Sequence, residues 1–250
     1  MAVKREIKRH SLQTRITHGV VAFSVVWLSI TGLFVMIPGL GAAVGTDLTQ
    51  FFRFSHRVVG AVLILAPIVS AILSPKGVAR MWRKYVTAWT REDFEFMVKF
   101  VPYMLGPKRV HMPDQDEVKS GQRIADGLLM VSALAMAVSG AIMWLGTSAF
   151  RADPQLLIAM RFIHQLFFIL LIVFVIAHAY LGGGVFQPYK GTVRLMFGNG
   201  RVSESNALYH WGFWAREELE RGENVVEVEV PDDDKKPGEV KGPLAKAESR

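Results

Sequence analysis

The chain has 250 residues, a formal net charge of +7 and no cysteine. The absence of cysteine excludes disulfides, thiolate metal sites, cysteine-ligated iron–sulfur clusters and covalently attached c-type haem. Hydrophobic residues make up 51% of the chain, and the basic residues cluster beside apolar runs. That distribution points to a membrane surface rather than to nucleic acid.

Residues 1–14 form a basic N-terminal segment that includes Lys4, Arg5, Lys8 and Arg9. Four apolar runs follow, at about 16–37, 55–73, 124–145 and 156–182. Each is close to the ~20 residues that cross a hydrocarbon core of ~30 Å. None reads as the short core of a cleaved signal peptide, and neither a lipidation motif nor a repeat of fixed period is evident. Residues 74–122, between the second and third runs, carry nine lysines and arginines. In this segment Trp82, Tyr85, Trp89, Phe96 and Phe100 recur at roughly helical spacing, which predicts helices lying at an interface. Residues 184–222 have a similar mixture. Residues 223–250 are charged, contain Pro231, Pro237 and Pro243, and lack an apolar stripe. They predict a tail that is disordered alone or laid over a partner.

Lysine and arginine also set the orientation. The first-to-second connection holds only Arg53 and the third-to-fourth only Arg151. By the positive-inside rule both termini and the middle segment are expected in the cytoplasm of a bacterium, with the chain multi-pass in the inner membrane. The expected fold is an all-α membrane protein. A four-transmembrane-helix bundle over residues 15–183 is flanked by interfacial cytoplasmic helices.

Histidine inside these runs needs a polar partner. His18 lies near the cytoplasmic start of the first helix and His56 near the outer start of the second. His164 and His178 lie toward the outer and inner ends of the fourth. Their fourteen-residue separation spans ~21 Å along a helix and falls about 40° short of four full turns, so both point to nearly one side. Two pairs of matching depth result: His18 with His178 inside, and His56 with His164 outside. Two bis-histidine haems require that arrangement, since each iron needs one imidazole above and one below. Gly19, Gly32, Gly60 and Gly140 offer room for a macrocycle. Arg15 near the inner pair, and Arg53, Arg57 and Arg161 near the outer pair, are candidates for the anionic propionates.

Other readings have their own signatures. A lone intramembrane histidine packs or relays protons, and a haem-free anchor or transporter uses such residues. A di-iron bundle needs inward glutamates, which the four apolar runs lack. His10 and His111 sit in polar segments and are expected to be solvated. His210, in "LYHWGFW", is expected to pack at the interface.

Several stretches together resemble the cytochrome b (gamma) subunit of membrane-bound respiratory formate dehydrogenases. They are "RITHG", "LSITGL", "SHRVVG", "SGQR", "VSGAIMW", "FIHQ…IAHAYL" and "GTVRLMFGNGRVS", and they cover about residues 15–214. The resemblance implies two haems b, with His56 and His164 on the outer iron and His18 and His178 on the inner. It implies an iron–sulfur (beta) subunit and a molybdenum or tungsten catalytic (alpha) subunit as partners. It also implies menaquinone or another quinone as acceptor near the inner haem, in lipid, with no nucleic acid involved. Electrons are then expected to enter outside and leave toward the cytoplasm. The family's Asn-x-Gly-Gln quinone stretch reads Lys119-Ser120-Gly121-Gln122 here, so Lys119, Gly121 and Gln122 are the candidate quinone contacts. The family's His-His-Pro is His210-Trp211-Gly212 and receives no role. Related cytochromes serve [NiFe]-hydrogenases and other molybdenum or tungsten oxidoreductases. No site for formate itself is expected in this chain.

Overall fold

The computed structural model describes residues 2–185 and 189–230. Four helices are long and apolar enough to cross a membrane: α1 (Leu12–Met36), α3 (Thr46–Leu73), α6 (Ser120–Ser148) and α7 (Pro154–Gly182). Their apolar faces point outward. Phe23, Ile72, Leu134 and Phe162 are each more than 60% exposed. Such surface suits lipid and would be costly in water. The chain is a multi-pass membrane protein.

The helices start before the apolar runs do, and side-chain caps set the starts of α1 and α7. Ser11 opens α1 by accepting the Thr14 amide. Asp153 opens α7 by accepting the amides of Gln155 and Leu156, with Pro154 in the first turn. α3 starts nine residues before the apolar run predicts, after a short helix α2 (Pro38–Val44) that turns the chain.

α1 packs along α3, and α6 along α7, as two antiparallel hairpins that meet chiefly through α3 and α6. At one end lie α4 (Pro75–Val86) and α5 (Arg91–Leu105), the latter opened by a reciprocal Thr90–Asp93 capping box. α4 is exposed except at Lys84 and Tyr85, which are half-buried, and carries Trp82 and Met81 among basic residues, as an interfacial helix does.

Two expectations for the flanks change. The N-terminal segment is a strand, β1 (Ala2–Lys8), in the middle of a three-stranded antiparallel sheet. One neighbour is β2 (Arg201–Ser203) and the other is β3 (Val225–Val230). The charged tail is therefore ordered at its start. In Val225-Val226-Glu227-Val228-Glu229-Val230 the alternation suits a strand with one polar face, a period of two that a search for helical stripes does not register. The rest of the tail lies outside the described residues. The second change concerns residues 184–222. α8 (Val193–Phe197), α9 (Glu204–His210) and α10 (Gly212–Arg221) close a small core with the sheet, made of Ile7, Leu195, Val202, Ala207, Trp211, Trp214 and Ala215. Leu195, Ala207, Trp214 and Ala215 of these helices are buried in protein, while Val193, Phe197 and Phe213 stay exposed. Phe186, Gln187 and Pro188 lie outside the described residues.

Candidate haem sites between two helix hairpins

Both histidine pairs meet in space. The His18 and His178 rings are 6.2 Å apart between centroids, at the end of the bundle that carries the sheet. The His56 and His164 rings are 6.4 Å apart toward the opposite end. In each pair one ring comes from the α1–α3 hairpin and the other from α7. A metal bound by two imidazole nitrogens at ~2.0 Å, each ~1.1 Å from its ring centre, separates the centroids by about 6.2 Å. The centroid separations of both pairs match that spacing.

The outer pair shows how its rings are held. Thr31 Oγ1 lies 2.9 Å from His56 Nδ1, and Ser139 Oγ lies 3.0 Å from His164 Nδ1. A hydroxyl has one proton to give. Thr31 gives it to the carbonyl of Trp27 at 2.8 Å, and Ser139 to that of Ala135 at 2.6 Å. Each oxygen then accepts the Nδ1–H of its histidine, which leaves the Nε2 lone pair for a metal. Both hydroxyl residues are fully buried, so water does not compete. The next residue in each helix is glycine. A Cβ on Gly32 would stand 3.3 Å from His56 Cε1, and one on Gly140 would stand 3.2 Å from His164 Cε1. Gly19 and Gly60 face open space instead.

This pattern occurs twice at one offset. Thr31 and Ser139, Gly32 and Gly140, and His56 and His164 are each 108 residues apart. The two hairpins share a hydroxyl–glycine step and a histidine at this offset. The intervals are 24 and 25 residues, and the matching letters are too few to register as a motif. His18 and Asp126 occupy one further equivalent position.

The inner pair is different. Asp126 Oδ1 lies 3.4 Å from His178 Nδ1. The other oxygen, Oδ2, accepts from Tyr85 Oη at 2.5 Å and Gln122 Nε2 at 3.0 Å. His18 Nδ1 and Arg15 Nε are buried without a hydrogen-bond partner. Phe197 sits edge-on to His18 at 5.5 Å, and Arg15 also donates to the Gly198 carbonyl. The orphaned Arg15 donor suits an anionic group beside this pair. Arg53, Arg57 and Arg161 are exposed and form no ion pair among the described residues.

The three quinone candidates diverge. Gln122 turns to Asp126. Gly121 packs toward Phe96 and Met97 of α5, where a Cβ would stand 3.4 Å from Phe96 Cε1. Lys119 is buried rather than spread on a basic surface. Its ammonium group donates to Tyr189 Oη at 2.9 Å and lies 3.5 Å from His210 Nδ1. Burial pulls its pKa well below the ordinary lysine value. His210 stacks on Tyr189 at 4.7 Å. His10 is also not solvated: burial first, then the neighbouring Arg9, pushes its pKa down to about 3. His111 is exposed as expected.

A four-span bundle with facing histidine pairs in its cleft defines a membrane electron-transfer protein of the b-cytochrome type. A family model for prokaryotic cytochrome b561, whose short name also refers to the cytochrome b of nickel hydrogenases, matches residues 9–199. The chain belongs to that family, and its cofactor class is b-type haem. No curated protein matches the chain in a sequence search.

Proposed function

We propose that the chain is the membrane-anchoring di-haem subunit of a respiratory formate dehydrogenase. The observation that carries this reading is the two ring pairs, one toward each end of the bundle, each with the span of two imidazoles on one metal. His56 and His164 hold one b-type haem, and His18 and His178 hold a second. When bound, two b-type haems supply one-electron carriers at two depths. The protein's part is to orient four imidazoles and to keep His56, His164 and His178 each in one tautomer. Arg15 faces the propionate side of the inner site, and the exposed Arg53, Arg57 and Arg161 face that of the outer.

The sheet end lies in the cytoplasm of an inner membrane, with both termini there. The opposite end receives electrons from an iron–sulfur subunit that is itself reduced by a molybdenum or tungsten subunit. Menaquinone or another quinone is reduced near His178, where Gln122 reaches the inner pair through Asp126. Carrying one charge across the membrane is worth ~2.3 kcal/mol per 100 mV, so substrate oxidation outside with proton uptake inside conserves energy.

A second reading has its own support. The family's short name refers to nickel hydrogenases, and the same layout serves hydrogen oxidation. One experiment separates the two. Purify the chain with its natural partners, then add formate or hydrogen and record the reduced b-type spectrum. Reduction by formate alone supports the first reading, and reduction by hydrogen alone replaces it with the second. A complex without any b-type spectrum overturns both.

A further inference from the structure

Three of the four paired histidines have an Nδ1 partner, and one partner differs in kind. At the outer pair both are hydroxyls whose own protons are committed to helix carbonyls. At the inner pair the partner of His178 is the carboxylate of Asp126. Asp126 sits on α6 where the first hairpin has His18, and His178 sits where that hairpin has Ser70, so the inner pair does not follow the offset that the outer pair keeps. Its side chain is largely buried, at 14% exposure, and a carboxylate there is costly unless it is hydrogen-bonded. Tyr85 of α4 and Gln122 of α6 supply those bonds to one oxygen and leave the other toward His178.

We propose that Asp126 is the positioning residue of the inner site. It fixes His178 with its proton on Nδ1 and makes the imidazole more electron-rich, which lowers the reduction potential of the group held by His18 and His178. The physical reason is that an anion accepting the Nδ1 proton raises the basicity of Nε2. A more basic ligand stabilises the more positive, oxidised iron. A neutral hydroxyl does this far less, so Thr31 and Ser139 leave the outer potential higher than a carboxylate would. Tyr85 ties the same carboxylate to α4, so this interfacial helix helps to set the inner site.

The inference rests on the di-haem reading above, and the test keeps the two apart. The complex is purified with the natural chain, with Asp126→Asn and with Asp126→Thr, which gives His178 the kind of partner its outer counterparts have. Pyridine haemochrome content is measured first, and a redox titration of the b-band then resolves two transitions. The expected result is two haems per chain, with one transition moved to higher potential in both variants and the other unmoved. The low-spin ferric electron-paramagnetic resonance signal of the moved haem shifts with it. Two haems with neither transition moved would overturn the role of Asp126 and leave the di-haem reading intact. Fewer than two haems in the natural chain would overturn the di-haem reading itself. If Asp126→Asn sheds a haem, the Asp126→Thr titration decides.

Discussion

Thr31 accepts the Nδ1 proton of His56 at 2.9 Å while its own proton is bound to the carbonyl of Trp27. A residue that is silent in a hydropathy profile thus dictates which nitrogen of the histidine is free. Thr31→Val keeps the shape and removes the acceptor. Loss of such a partner typically costs 10–100-fold in metal affinity. The outer haem of Thr31→Val, and of Ser139→Ala, is expected to dissociate that much more readily, measured by haem transfer to an apo-acceptor. Unchanged dissociation in both would mean that the hydroxyls only pack.

Gly140 gives a steric counterpart. A Cβ there would approach His164 Cε1 to 3.2 Å, tighter than the ring tolerates without turning. Gly140→Val is expected to lose the outer haem while circular dichroism keeps its helical signal.

Electron order is tested at the ligands. His178→Ala is expected to empty the inner site and stop quinone reduction, with the outer haem still reducible by the catalytic partner. His164→Ala is expected to block entry before either haem is reduced. Quinone reduction that survives loss of the inner haem would reverse the proposed order.

His10 predicts a pH dependence. Its pKa is about 3 in the folded chain because burial and Arg9 disfavour the cation, and it is ~6.5 in an unfolded one. Between those values the unfolded state binds the extra proton. The stabilisation is complete above pH ~6.5 and is lost progressively as pH falls toward 3. Thermal unfolding of the detergent-solubilised protein is expected to show this loss, and His10→Gln is expected to flatten it.

Lys119 works in the alkaline direction. Burial holds its pKa well below the ordinary lysine value, so between the folded and unfolded values the unfolded chain binds the extra proton. Stability from this residue rises with pH toward the unfolded value of ~10.4. Lys119→Met is expected to raise the melting temperature at pH 7 and to shrink its rise toward alkaline pH. A lower melting temperature at pH 7 would show that the bond to Tyr189 outweighs the desolvation.

By itself the sequence determined what local periodicity can carry. The lengths of four apolar runs set four spans. A helix's fixed rise and turn put His164 and His178 on nearly one side at two depths, and the structure brings them to His56 and His18. Only the tertiary structure decided the rest, because it depends on contacts between residues far apart in the chain. Thr31 and His56 meet across a turn, Ser139 and His164 across another, and Asp126 reaches His178 between antiparallel helices. β1 pairs with β3 over nearly the whole chain length, which turns the start of an apparently free tail into the edge of a sheet. Lys119, basic and beside a positive face, goes inside because Tyr189, His210 and Trp211 close around it. A hydropathy pattern records whether a residue can face lipid or water, and it carries no information about which polar group will meet which.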